Sequence, residues 1–143
     1  MNKHVTSLEL SQRLAKAGVK QKSIFFYAKN NDNHFQLYPL CVDPKESKLV
    51  ESNSKNEEYS TFLATDILEM LPDQMCDENE DIPYYLTFEK RSDPDYWIVF
   101  YHDKDRGMLG ELNGKLHIEA PTLQDCAGEM LLTLIEKGLI TIE

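Results

Sequence analysis

Toward the end of the chain, apolar side chains return at helical spacing. Leu123 is followed by Cys126, Ala127, Met130, Leu131, Leu134 and Ile135, at offsets of 3, 4, 7, 8, 11 and 12. That repeat describes an amphipathic helix whose apolar stripe is wide enough to cover a sheet face. Its ends are marked as well. Pro121 precedes it, Thr122 with Asp125 resembles a capping box, and Lys137-Gly138 closes it. A first helix is predicted over 8–17. Thr6 or Ser7 caps it, Leu10, Leu14 and Ala17 form its buried stripe, and Gly18 forms its exit. A brief helix is predicted over 66–71, capped by Thr65, ended by Pro72 and contributing Ile67, Met70 and Leu71 to the core.

Between the helices the pattern changes to runs of β-branched and aromatic residues. Strands are predicted over 23–29 and 35–42, joined through Asn30-Asn31-Asp32-Asn33, because Asn and Asp tolerate left-handed backbone. Pro39 argues that the second of these is an edge or carries a bulge. A short strand follows over 59–63. Strands over 84–90 and 96–102 are joined by Ser92-Asp93-Pro94-Asp95, and strands over 108–112 and 115–118 by Asn113-Gly114, a strong hairpin signal. The expected architecture is α+β: a mainly antiparallel sheet, a meander of hairpins, with three helices packed mostly on one face and the longest at the C-terminus. A single domain over 1–143 is expected, with polar acidic loops at about 43–58 and 73–81.

Composition fits that picture. A chain of 143 residues with 41% hydrophobic residues and 14 aromatics buries about two-thirds of its unfolded surface, so it needs neither disulfide nor metal to fold. Cys41, Cys76 and Cys126 form no close pair, and Cys126 falls on the apolar helical stripe, where a thiol behaves as a small hydrophobe. No apolar run approaches the ~18 residues of a membrane span, and residues 1–12 carry no signal-peptide core. A cytoplasmic setting is the expectation.

Charge is unevenly divided. Residues 1–42 are net +4, 43–81 net −9 and 82–143 net −5, for a total of −10. A chain this acidic repels phosphate backbones, which disfavours direct nucleic-acid binding; its middle segment suits a partner with a basic surface.

Chemistry-bearing motifs are sparse. His4, His34, His102 and His117 are not at ligand spacing, so no metal site is expected. The acids of 77–81 lack the glycine and distant glutamate of a calcium loop. No phosphate-cradling or nucleophile-elbow motif occurs, and no cofactor is expected. The nearest approach to an acid/base site is Tyr101-His102-Asp103-Lys104-Asp105, where His102, Asp103 and Asp105 are the catalytic candidates. The same residues also compose an ordinary solvated turn before Gly107. The strand aromatics offer a different possibility. Phe25, Phe26, Tyr27, Tyr38, Tyr84, Tyr85, Tyr96, Trp97, Phe100 and Tyr101 all fall on predicted strands, and consecutive pairs put rings on both sheet faces. Tyr85, Trp97, Tyr101, Phe25 and Tyr27 are therefore interface candidates.

Three segments carry a resemblance: Ser7-Leu8-Glu9-Leu10 through Gly18-Val19-Lys20-Gln21, Ala64 through Pro72, and Thr122 through Ile140. In their order and residues they are similar to a group of small uncharacterised bacterial proteins, often encoded in prophages and other mobile elements. The resemblance implies that setting and supplies no catalytic residues. The leading expectation is a non-catalytic accessory protein that binds another protein. The alternatives are a small enzyme or small-ligand binder with a site near Tyr101–Asp105, and a homo-oligomeric structural protein, such as a homodimer.

Overall fold

The computed structural model describes residues 4–39, 42–43, 48–49, 57–76, 83–103, 107–108 and 117–142. In chain order they form α1 (Leu8–Lys16), β1 (Phe25–Lys29), β2 (Phe35–Pro39), β3 (Val42–Asp43), β4 (Lys48–Leu49), β5 (Tyr59–Thr61), α2 (Ala64–Met70), β6 (Gln74–Cys76), β7 (Pro83–Ser92), β8 (Asp95–Asp103), β9 (Gly107–Met108), β10 (His117–Ala120) and α3 (Leu123–Glu136). The architecture is α+β, with all strand pairs antiparallel.

The helix ends follow local chemistry. Ser7 Oγ accepts from Leu10 N–H at 3.4 Å, and Thr122 Oγ1 accepts from Asp125 N–H at 3.3 Å. Each satisfies an amide that has no intrahelical partner. Gly18 and Gly138, at φ +91° and +68°, take the left-handed turns after α1 and α3. α2 departs from expectation. It begins at Ala64, and Asp66 Oδ2 reaches back to accept from Leu63 N–H at 2.9 Å, so Asp66 rather than Thr65 supplies the cap. The third helical position is well placed for that reach.

The larger sheet runs β10-β8-β7-β6, and β9 pairs with β8 on the same side as β10. β6, β7, β8 and β9 pair in chain order, and β10 then returns to lie directly against β8, with His117 opposite Phe100 and Ala120 opposite Trp97. One face presents Tyr84, Leu86 and Phe88 from β7, Trp97, Val99 and Tyr101 from β8, and Ile118 and Ala120 from β10. α3 packs on β8 and β10, with α1 and α2 beside it. Leu10, Leu14, Phe62, Ile67, Cys126, Met130, Leu131 and Leu134 complete the core.

The smaller sheet, β2-β1-β5, is tied to this body by the segment before α1. Val5 bridges Leu63, and Thr6 N–H donates to Phe62 O at 2.9 Å. The Thr6 hydroxyl accepts from Phe62 N–H at 3.0 Å and lies 2.8 Å from Ser11 Oγ, while Thr61 Oγ1 donates to Thr6 O at 2.7 Å. Thr6, Ser11 and Thr61 are wholly buried, and mutual hydrogen bonding is what makes their burial tolerable.

Candidate functional site

The β1–β2 hairpin is set by its turn. Asn30 Oδ1 accepts from Asp32 N–H at 3.0 Å and from His34 N–H at 3.1 Å, and Asn33 takes φ +64°. The resulting register places Phe25 opposite Pro39, Tyr27 opposite Leu37 and Lys29 opposite Phe35. Alternation then collects Phe25, Tyr27, Phe35, Leu37 and Pro39 on one face. With Gln36 and Tyr38 they line a groove of about 510 Å³. Tyr27, 8% exposed, forms the floor, and its hydroxyl donates to Thr6 O at 3.4 Å. Burial, and after it the Asp125 carboxylate, pushes the Tyr27 phenol above its ordinary pKa, so it remains a protonated donor.

Among the described residues no charged side chain lines the groove. At one end Lys29 Nζ sits 5.4 Å from the centre of the Phe35 ring while paired with Glu57 at 2.8 Å. Tyr59 packs against Phe35, with ring centres 6.0 Å apart. On the opposite face Phe26 and Tyr38 stack at 5.7 Å.

The two edges of this sheet differ. On the β5 side, residues 5–6 pair with Leu63 and Phe62 just past the strand, and Ser60 N–H donates to Gln21 Oε1 at 2.9 Å. On the β2 side, no strand among the described residues pairs with Phe35–Pro39 beyond β1. Among the described residues, an uncharged strand thus has one row of backbone donors and acceptors without a strand partner, beside an aromatic groove.

The other candidates scatter. Tyr101 is fully buried in the core, where its hydroxyl donates to Pro72 O at 2.7 Å. Burial, aided by Asp73, holds its phenol well above the ordinary range. It is a core residue, not a surface group. Trp97 also faces the core, half-buried, with Lys90 Nζ 5.8 Å from its ring centre. Tyr85 is 51% exposed on the far face of the larger sheet, away from the groove.

His102, next along the strand, faces opposite to Tyr101, standing across from Tyr85 and edge-on to Phe100 at 5.9 Å. Asp103 returns to the Tyr101 side. Strand alternation thus parts the neighbours that looked like an acid/base cluster. Asp105 lies outside the described residues, as do Cys41, the acids at 77–81 and the Asn113-Gly114 turn.

A second depression, about 410 Å³, includes Ser7, His117, Glu119, Asp125 and Glu129. Its carboxylates serve the fold: Asp125 Oδ1 accepts from Ser7 N–H at 2.8 Å, and Glu129 pairs with Arg13 at 2.5 Å. Cys126 is buried behind it, its Sγ donating to Ile118 O and Trp97 O at 3.3 and 3.4 Å. Burial pushes that thiol up to about 12, leaving it protonated and unreactive at neutral pH. Among the described residues no group of three or more His, Cys, Asp or Glu is placed to hold a metal ion. None of their helices is long and apolar enough to cross a membrane.

Phe25 and Tyr27 are thus the interface candidates that the fold brings together, joined by Phe35, Gln36 and Leu37, which sequence reading did not single out. The available signals were Pro39, marking an edge, and the lack of any charge over 35–39. No protein-family model, curated protein or solved structure matches the chain.

Proposed function

We propose that this chain is a non-catalytic protein-binding module, of the mobile-element setting its resemblance implies, that docks by strand addition. β2 receives an extended protein segment along the backbone edge that no other described strand covers, and the groove beside it receives alternate side chains of that segment. The observation that carries this reading is the uncharged β2 edge flanked by Phe25, Phe35, Leu37 and Pro39. Main-chain hydrogen bonds would supply direction and the aromatic lining apolar area. Phe35–Pro39 carries no charge, so docking at this edge is governed by backbone hydrogen bonds and apolar contact rather than by the net charge of −10.

A photo-crosslinking residue in place of the exposed Gln36 tests it, with one in place of the exposed Glu69 on α2 as control. Adducts are expected from position 36, to fall at least tenfold when Leu37→Asp is added, and to be scarce from position 69. Equal adducts from both positions would remove the support for a docking edge.

A further inference from the structure

We propose that the strand added to β2 is β2 of a second copy of this chain, the two pairing antiparallel about a two-fold axis at Leu37. The inference rests on the docking reading and names the occupant of that site.

Three observations point to a second copy. The first is self-complementarity. Antiparallel pairing centred on Leu37 sets Leu37 opposite Leu37, Phe35 opposite Pro39 and Gln36 opposite Tyr38. The strand's own alternation then brings Phe35, Leu37 and Pro39 of both copies onto one face, extending the stripe begun by Phe25 and Tyr27. The other face pairs an amide with a phenol, a combination already made within one chain, where Tyr38 Oη donates to Gln36 Oε1 at 3.4 Å. A two-fold interface requires one patch to complement itself, and this patch does.

The second is closure. On its β5 side the small sheet is flanked by residues 5–6, which pair with Leu63 and Phe62 just past the strand, and by the Gln21 side chain at Ser60. An isolated strand bound at β2 would present its own outer edge, whereas a second copy covers the β2 edge of both small sheets at once. Two three-stranded sheets would become one of six, a common size.

The third is charge. Two copies of a chain with net charge −10 repel over most of their surface, and residues 43–143 carry all of that excess. The segment 1–42, which holds the hairpin, is net +4, and Phe35–Pro39 bears no charge. The β2 edge is therefore a strip along which like copies can meet without opposing carboxylates.

A five-residue edge is short, so association is expected to be weak, with a dissociation constant on the order of 10 µM. Sedimentation of the purified chain should show the 16.6 kDa monomer converting to twice that mass between a few and several hundred micromolar. Leu37→Glu and Leu37→Lys place like charges together at the axis, and each alone should remain monomeric. Mixed one to one, the two variants should restore a dimer, because Glu then faces Lys; recovery in the mixture also excludes misfolding as the cause of the loss. A dimer that persists in both single variants would overturn the inference by placing the contact elsewhere. A wild-type chain that stays monomeric while position 36 still cross-links to another protein would overturn it too, leaving strand docking intact with a different occupant. Monomers with no adducts at position 36 would sink both readings.

Discussion

At Asp125 two demands meet. The residue sits in the first turn of α3, where a negative charge is favoured, and its Oδ1 accepts from Ser7 N–H at the start of α1. Yet it is half-buried, and Glu129 is near. Burial is the largest influence, the Ser7 bonds oppose it, and the outcome is a carboxyl pKa above the ordinary value. A folded-state pKa raised in this way adds stability at low pH, and that stability is lost as pH rises through the folded value. Asp125→Asn keeps an oxygen for Ser7 N–H and removes the titration. The stability of the wild type relative to the variant should thus be greatest near pH 4 and decline toward pH 7. Denaturant midpoints for both proteins at the two pH values check this; a constant difference would show that Asp125 does not titrate as described. This behaviour was hidden from sequence. Thr122 and Asp125 read as a capping pair, which they are, but the contact to Ser7 spans 118 positions and depends on how two helices cross.

Helix α3 was the element most legible in advance, because its stripe repeats at the helical period over 14 residues and Cys126, Ala127, Met130, Leu131 and Leu134 are all buried as the repeat requires. Gly128 was not legible. A helix-interior glycine reads as a weakness worth about 1 kcal/mol against alanine, but the crossing with α1 explains it. A Cβ at Gly128 would lie 2.7 Å from Leu10 Cδ2, and Leu10 is itself buried in the core. Overpacking costs of about 1–3 kcal/mol outweigh the gain in helix propensity. Gly128→Ala is therefore expected to lower unfolding free energy by about 1 kcal/mol despite improving the helix, and urea denaturation reads the sign. An increase in stability would mean that the crossing yields. The strands divide in the same way. Their existence followed from β-branched and aromatic runs, whereas the placement of β10 against β8 is a matter of chain return that no local pattern encodes. His102 and Tyr101 fall to opposite faces because strand alternation is stricter than proximity in sequence.

Among the described residues the two sheets share no strand pairing, and residues 5–11 join the small sheet to the body. The Thr6 hydroxyl stands at that junction, between Ser11, Thr61 and Phe62 N–H. Thr6→Val preserves shape and removes the acceptor for a buried amide, a loss worth about 1–3 kcal/mol. Where that loss appears distinguishes two kinds of molecule. If the hairpin can open while the larger sheet stays folded, hydrogen exchange at β1 and β5 amides should accelerate roughly tenfold or more, with β8 amides much less affected. If the domain unfolds only as a whole, exchange should rise equally in both sheets and the hairpin has no independent stability. The first outcome is expected, because β8 lies under α3 between two paired strands, whereas among the described strands the hairpin's β2 pairs with β1 alone. An added strand at β2 would then protect the β1 and β2 amides selectively and, by mass action, offset part of what Thr6→Val removes.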